Sequence, residues 1–277
     1  MGFTSGRTGP MPKEVRLSLE TLSPGKHNPK LTEIRKAISH GTLTASGLIV
    51  AEGPKLIEEA LRSGLAIEAV FLRRGAGLPP VPATAVIYET DPAVFKTIQS
   101  TETSQGVVAL VRPRGHDLRD LLAARNPLLV VLCRLQDPGN AGTILRVAES
   151  FGATGCLATA GTAAIFNPKT LRASAGSVFR IPHIWDLDGD ELFAALRSSN
   201  IHAVGTAPDA KQTIGEWDWR QPSAIVIGNE GSGLSEEEKR MCDALVRIPH
   251  EPAVESLNSA IAATVILYEA SKWRRHQ

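Results

Sequence analysis

Three polar segments of this 277-residue chain each follow an apolar run and gather side chains able to act on a ligand. The first is Gln136-Asp137-Pro138-Gly139-Asn140, which continues through Ala141 to Arg146. A strand ending at Leu135 and a helix beginning near Ala141 would set this turn at the carboxyl edge of a parallel sheet. Helix N-termini converge there and ligands bind. Asn140 reads either as a helix cap, accepting a backbone N–H of the first turn, or as a side chain turned to the ligand. Arg146 lies well round the helix from Asn140, at ~100° per residue. It either pairs with Glu149 at i+3 or reaches back to an anionic group. The second segment is Ile227-Gly228-Asn229-Glu230-Gly231-Ser232-Gly233. Glycines directly after a buried strand imply positive φ or a close backbone approach. Their GxxGxG spacing is neither the dinucleotide GxGxxG nor a phosphate loop, so a tight turn and a ligand loop both fit. The third runs Ile248-Pro249-His250 and then Ser256-Leu257-Asn258. Ser256 stands where a final helix would be capped, and Asn258 is placed for local backbone bonding. His250 has no evident partner. A fourth stretch, Lys169 to Ser177, sets Lys169 and Arg172 among small residues, fit for a phosphate or for close packing.

The elements that would hold these segments fall into two units. Residues 1–26, rich in Gly, Pro, Ser and Thr, read as a flexible tail. Residues 27–112 alternate helix and strand. Helical spacing covers Leu31–His40, Lys55–Ser63 and Val94–Ser100, and apolar strands cover Leu48–Val50, Ala66–Leu72, Val86–Tyr88 and Gly106–Val111. This pattern suits a small α/β domain. A linker, 113–126, contains a short helix at Leu118–Ala124. Then come the nearly continuous apolar runs Leu128–Cys133, Gly155–Ala158, Ile201–Gly205, Ala224–Ile227 and Ala244–Ile248. Such runs are strands buried on both faces of a parallel sheet. Helices are expected between them, at Ala141–Phe151, Glu191–Arg197 and Glu236–Cys242, and a last one at Leu257 to Trp273. The second domain is therefore 127–277.

Composition narrows the partners. Thirty Lys and Arg against twenty-nine Asp and Glu leave no net-charge argument for nucleic acid. The first 114 residues carry +4 and the remainder −3, compatible with phosphate contacts from the front half or with ordinary solvated charge. Three scattered cysteines, without CxxC or HExxH spacing, suggest a reduced cytoplasmic compartment and no metal. No apolar run reaches the ~18 residues of a membrane span, and no signal core is evident.

Taken together and in this order, the segments resemble the three motifs of the SpoU (TrmH) branch of the SPOUT RNA methyltransferases. The match runs through Asn140 to Arg146, Ile227 to Gly231, and Ile248-Pro249 with Ser256-Leu257-Asn258. Arg172-Ala173-Ser174-Ala175-Gly176-Ser177 is similar too, as are Val50-Ala51-Glu52-Gly53 and Thr103-Ser104-Gln105-Gly106-Val107 in the front domain. The resemblance implies an α/β fold with a C-terminal parallel-sheet SPOUT domain, a deep trefoil knot and a small substrate-binding domain before it. It implies a homodimer that moves a methyl group from S-adenosylmethionine to a ribose 2′-hydroxyl of structured RNA, with rRNA favoured over tRNA. A non-catalytic RNA-binding dimer is the alternative of a different class; a Rossmann-type nucleotide enzyme is disfavoured by the glycine spacing. The site residues implied are Arg146, Asn140, Glu230 and Asn258 for catalysis. Thr206, Gly228, Asn229, Ile248, Ser256 and Leu257 would hold the cofactor, and Arg146, Lys169 and Arg172 the RNA. The chain departs from the family at His250, Pro252 and Ser259, beside the expected cofactor loop.

Overall fold

A computed structural model describes residues 21–25, 28–251 and 253–275; the expected tail up to residue 20, residues 26 and 27, and Pro252 lie outside the described residues. The first unit runs β1 (Thr21–Leu22), α1 (Pro29–His40), β2 (Ile49–Glu52), α2 (Pro54–Arg62), β3 (Ile67–Arg73), β4 (Val86–Thr90), α3 (Pro92–Phe95) and β5 (Val107–Val111). Its sheet has the order β1-β4-β3-β5-β2. β5 is antiparallel to β2 and β3, whereas β3 and β4 are parallel. The end of the segment read as a tail is thus an edge strand, pairing Thr21 with Ile87 and Leu22 with Tyr88. Leu31, Ile34 and Ala37 of α1 pack on one face, against Phe71, Tyr88, Phe95 and Ile98. On the other face Leu56, Ile57 and Ala60 of α2 join a core that continues into the second unit at Leu171 and Val178.

The helix expected over Val94–Ser100 is confined to Pro92–Phe95. Its continuation is diverted because the Ser100 N–H donates to Glu52 Oε2 at 2.7 Å and the Ser100 hydroxyl donates to the same carboxylate oxygen.

After α4 (Leu118–Leu122) in the linker, the second unit comprises β6 (Leu128–Leu132), α5 (Pro138–Ser150), β7 (Gly155–Thr159), α6 (Pro168–Ser174), β8 (His183–Leu187), α7 (Gly189–Ser198), β9 (His202–Thr206), β10 (Gln212–Thr213), β11 (Ser223–Ile227), α8 (Glu236–Met241), β12 (Ala244–Arg247) and α9 (Ser259–Arg274). The seven strands are all parallel, in the order β10-β12-β9-β11-β6-β7-β8. Every residue of β6, β7 and β11 is buried, which is why those strands read as unbroken apolar runs. α5, α6 and α9 cover one face, α7 and α8 the other. α5 and α6 meet closely at Gly142, where a Cβ would stand 2.3 Å from the Thr170 carbonyl oxygen. β8 gave no apolar signal because it is a partly exposed edge strand, with Asp186 at φ +64°. β12 lies between β9 and β10, and the chain beyond it returns to the start of α5, consistent with the trefoil knot of SPOUT proteins.

Candidate active site

Loops leaving the carboxyl ends of β6, β11 and β12 converge, and one side chain from each locks them together. α5 begins at Pro138, three residues earlier than its apolar spacing suggests, because Asp137 is the cap: its Oδ1 accepts the Asn140 N–H at 2.8 Å. Asn140 is therefore not the cap, and its amide is free to face the other loops. Its Nδ2 donates to Glu230 Oε1 at 3.1 Å, and its Oδ1 accepts from Asn258 Nδ2 at 3.1 Å. Glu230 also accepts the N–H groups of Gln136 and Asp137, each at 2.9 Å. Asn258 Oδ1 takes the N–H groups of Ala260 (2.9 Å) and Ile261 (3.2 Å), so Asn258 performs the capping of α9 expected of Ser256. Partial burial opposes the charge on Glu230. The N–H groups of Gln136 and Asp137 and the Asn140 amide outweigh it, holding the carboxyl below its ordinary range.

The glycine-rich loop is a closed turn. The Asn229 N–H donates to the Gly233 carbonyl at 3.1 Å and the Gly233 N–H returns a bond at 2.9 Å. A Cβ at Gly228 would stand 2.3 Å from the Gly233 carbonyl carbon, so no larger residue fits with the turn shut. The Asn229 side chain is spent inside this turn. Its Oδ1 accepts from the N–H groups of Gly231 and Ser232, and its Nδ2 donates to the Arg134 carbonyl at 3.0 Å. The Asn229 side chain thus holds the turn and its link to the loop after β6 rather than a ligand. Arg134 escaped the sequence reading. It sits at φ +54°, an uncommon conformation for a residue with a side chain, and holds Glu238 at the start of α8 through Nε (2.9 Å) and Nη2 (2.6 Å). Only the pairing across 104 residues reveals it.

Between these loops lies a cavity of about 240 Å³. Ile227, Val246, Ile248, Leu257 and Ala262 give it apolar walls, and Thr206, Gly228, Asn229, Glu230 and Ser256 stand around it. All six residues expected to hold a cofactor therefore line one cavity. The Thr206 hydroxyl is committed to the Val226 carbonyl at 3.1 Å, while the Ser256 hydroxyl has no partner among the described residues. His250 also lines the cavity, and its ring nitrogens contact the carbonyls of Ile248 (2.8 Å) and Val254 (3.0 Å), partners the sequence did not suggest.

The three basic residues expected at the RNA are placed differently from one another. Arg146 is exposed, and its guanidinium forms no hydrogen bond or ion pair with any described residue, the Asn140 array included. Lys169 Nζ meets Asp137 Oδ2 at 2.7 Å, beside the cap of α5. Arg172 donates to the Ser100 hydroxyl at 2.9 Å and so touches the first unit. Burial pushes the Cys133 and Cys156 thiols far up, which removes both as nucleophiles. Among the described residues no His, Cys, Asp and Glu group could hold a metal ion, and no helix is long and apolar enough to cross a membrane.

The sequence profile of the SpoU rRNA Methylase family matches residues 127–268, and that of the MRM3-like substrate binding domain matches residues 28–109. An uncharacterized tRNA/rRNA methyltransferase of Synechocystis sp. is 34% identical over 88% of this chain and 91% of its own length. A 23S rRNA (guanosine(2553)-2′-O)-methyltransferase of Bacillus subtilis is 29% identical over 87% of this chain and 95% of its own. Among solved structures, the SpoU methyltransferase AviRb from Streptomyces viridochromogenes, in complex with AdoMet, superposes with a TM-score of 0.79. It is 28% identical, over 90% of this chain and 98% of that one. The chain belongs to the SpoU methyltransferase family, with a substrate-binding domain ahead of its catalytic domain.

Proposed function

We propose that this protein transfers a methyl group from S-adenosylmethionine to the 2′-hydroxyl of a ribose in 23S-type ribosomal RNA. The observation that carries this reading is the Glu230–Asn140–Asn258 array, whose Glu230 lines the apolar cavity. The cavity suits a nucleoside-containing cofactor. Apolar walls accept a purine ring, backbone from three loops surrounds it, and the Ser256 hydroxyl is unspent. When bound, S-adenosylmethionine supplies an electrophilic methyl group; the remaining work falls to the protein.

A ribose hydroxyl is a weak nucleophile, so it must be held in line, and its proton passes to a solvent water as its oxygen takes the methyl group. Arg146 presents a guanidinium with all its donors unspent, suited to gripping the neighbouring phosphate while polarising the hydroxyl. Arginine keeps its proton in proteins, so it acts here as a donor of hydrogen bonds and positive charge. Glu230, Asn140 and Asn258 fix the three loops that frame the reacting groups. Arg172, between the domains, adds positive charge along the RNA path, and Lys169, held on Asp137 beside the α5 cap, reaches a phosphate only by exchanging that carboxylate for it.

A second copy of the chain covers α9 in this reading. Ile261, Val265 and Tyr268 form a stripe at helical spacing on α9, with Ile261 55% and Tyr268 54% exposed. We place the reaction in the cytoplasm, because the relatives named for 23S rRNA methylation come from bacteria, which lack a nucleus. The reading is tested by transfer of labelled methyl from S-adenosylmethionine to total rRNA and to tRNA separately, with nucleoside analysis. A 2′-O-methyl product in 23S rRNA is expected; a product in tRNA alone would move the substrate class.

A further inference from the structure

α5 carries Arg146 and Glu149 three residues apart, an opposite-charge pair that joins on an isolated helix surface. In the folded chain they are kept apart. Arg180, just after α6, holds Glu149 with both ends of its guanidinium fork: Nε to Oε1 at 2.6 Å and Nη2 to Oε2 at 3.0 Å. Its third nitrogen reaches α2 of the first domain, meeting Glu59 Oε2 at 2.8 Å and the Ser63 hydroxyl at 3.4 Å. The approach depends on Gly176, at φ +90°, where a Cβ would lie 2.7 Å from the Glu59 side chain. Arg180 is partly buried, with a side chain 35% exposed, whereas Arg146 is exposed. A bidentate, partly desolvated pair outcompetes a surface pair along one helix.

We propose that Arg180 is a positioning residue that withholds Glu149 from Arg146, keeping the Arg146 guanidinium free for RNA, while tying the substrate-binding domain to the catalytic helix. The inference rests on the role proposed above for Arg146. Without Arg180, two carboxylates lose their shared cation, and the nearest cation along α5 from Glu149 is Arg146. A guanidinium spent on a carboxylate has neither the net charge nor the open donors that a phosphate and a hydroxyl require.

The test is Arg180→Gln, alone and combined with Glu149→Gln, in the full-length protein. An exposed i,i+3 pair holds its partners together roughly two-thirds of the time, so kcat in the single variant falls about threefold. KM for RNA rises as well, because the Glu59 contact is lost. In the double variant kcat returns to the wild-type value while KM stays raised. A kcat loss that persists in the double variant would reduce Arg180 to a structural role, and an unchanged kcat in the single variant would also overturn the proposal. Should Arg180→Gln not fold, Arg180→Lys carries the same comparison: a smaller kcat loss, again restored by Glu149→Gln. A readout independent of activity is the crystal structure of the single variant, in which Glu149 is expected within 4 Å of the Arg146 guanidinium. Finding Arg146 still unpaired there would overturn the inference. A wild-type protein that methylates no RNA would instead sink the proposed function and leave this structural readout in force.

Discussion

Replacing Gly228 with alanine tests whether the closed turn after β11 is what makes the cavity fit its cofactor. The added Cβ would lie 2.3 Å from the Gly233 carbonyl carbon and 2.4 Å from the Leu234 nitrogen. These are backbone atoms, so no side chain can rotate away, and the turn must open by about 1 Å to restore van der Waals contact. Opening it breaks the two bonds between Asn229 and Gly233, at 3.1 and 2.9 Å. At about 1 kcal/mol net each, the loss of stability is about 2 kcal/mol. That corresponds to a fall in Tm of about 4–8 °C. The displaced backbone lines the cavity, so a similar energy is lost from cofactor binding, roughly thirtyfold in Kd. Thermal unfolding and calorimetric titration with S-adenosylmethionine measure the two effects. A variant with reduced Tm but unchanged Kd would refute the reasoning, because the turn would then be structural without shaping the site.

Three further outcomes follow from the geometry. Glu230→Gln keeps the side-chain shape but trades carboxylate acceptors for a weaker carbonyl and an amide unable to accept both neighbouring N–H groups; methyl transfer should fall about tenfold or more while cofactor Kd changes little, and equal losses in both would contradict the role given to the array. Ile261→Lys sets a charge in the exposed apolar stripe of α9 and should convert the proposed dimer to a monomer in light scattering; a dimer unchanged by it, or a monomeric wild type, would contradict the interface proposed on α9. Burial lowers the His183 pKa to about 4, with nearby His116 adding to the effect against the opposing Ile181 carbonyl. Between about 6.5 and 4 the unfolded chain binds a proton that the folded chain refuses, so stability falls as pH drops through this window, by about 3 kcal/mol in all. Urea denaturation of wild type and His183→Gln across that range should show the wild type losing more, and parallel curves would contradict the assignment.

The central sheet was legible because strands buried on both faces leave unbroken apolar runs, as in Leu128–Leu132. The edge strand β8 and helix α6 lack that signature and were invisible. The chemistry-bearing segments were legible as residue types, but their local assignments hinged on contests that sequence cannot settle. Asp137 and Asn140 are both good helix caps three residues apart, and so are Ser256 and Asn258 two apart. The winners are Asp137 and Asn258, and that choice turns the Asn140 amide toward Glu230. Arg146 next to Glu149 looked like an ordinary helix pair until Arg180 took the carboxylate from 31 residues away. Arg134 with Glu238 is likewise a long-range pair.

Transfer of labelled methyl from S-adenosylmethionine to rRNA by the wild-type protein and by Arg146→Ala, with cofactor binding followed in parallel, tests the role of Arg146 most directly. Arg146 is exposed and unpaired, so its removal should leave folding and cofactor Kd intact while abolishing formation of 2′-O-methylribose. Undiminished methylation by Arg146→Ala, at equal cofactor affinity, would contradict the assignment of the free guanidinium to the ribose hydroxyl.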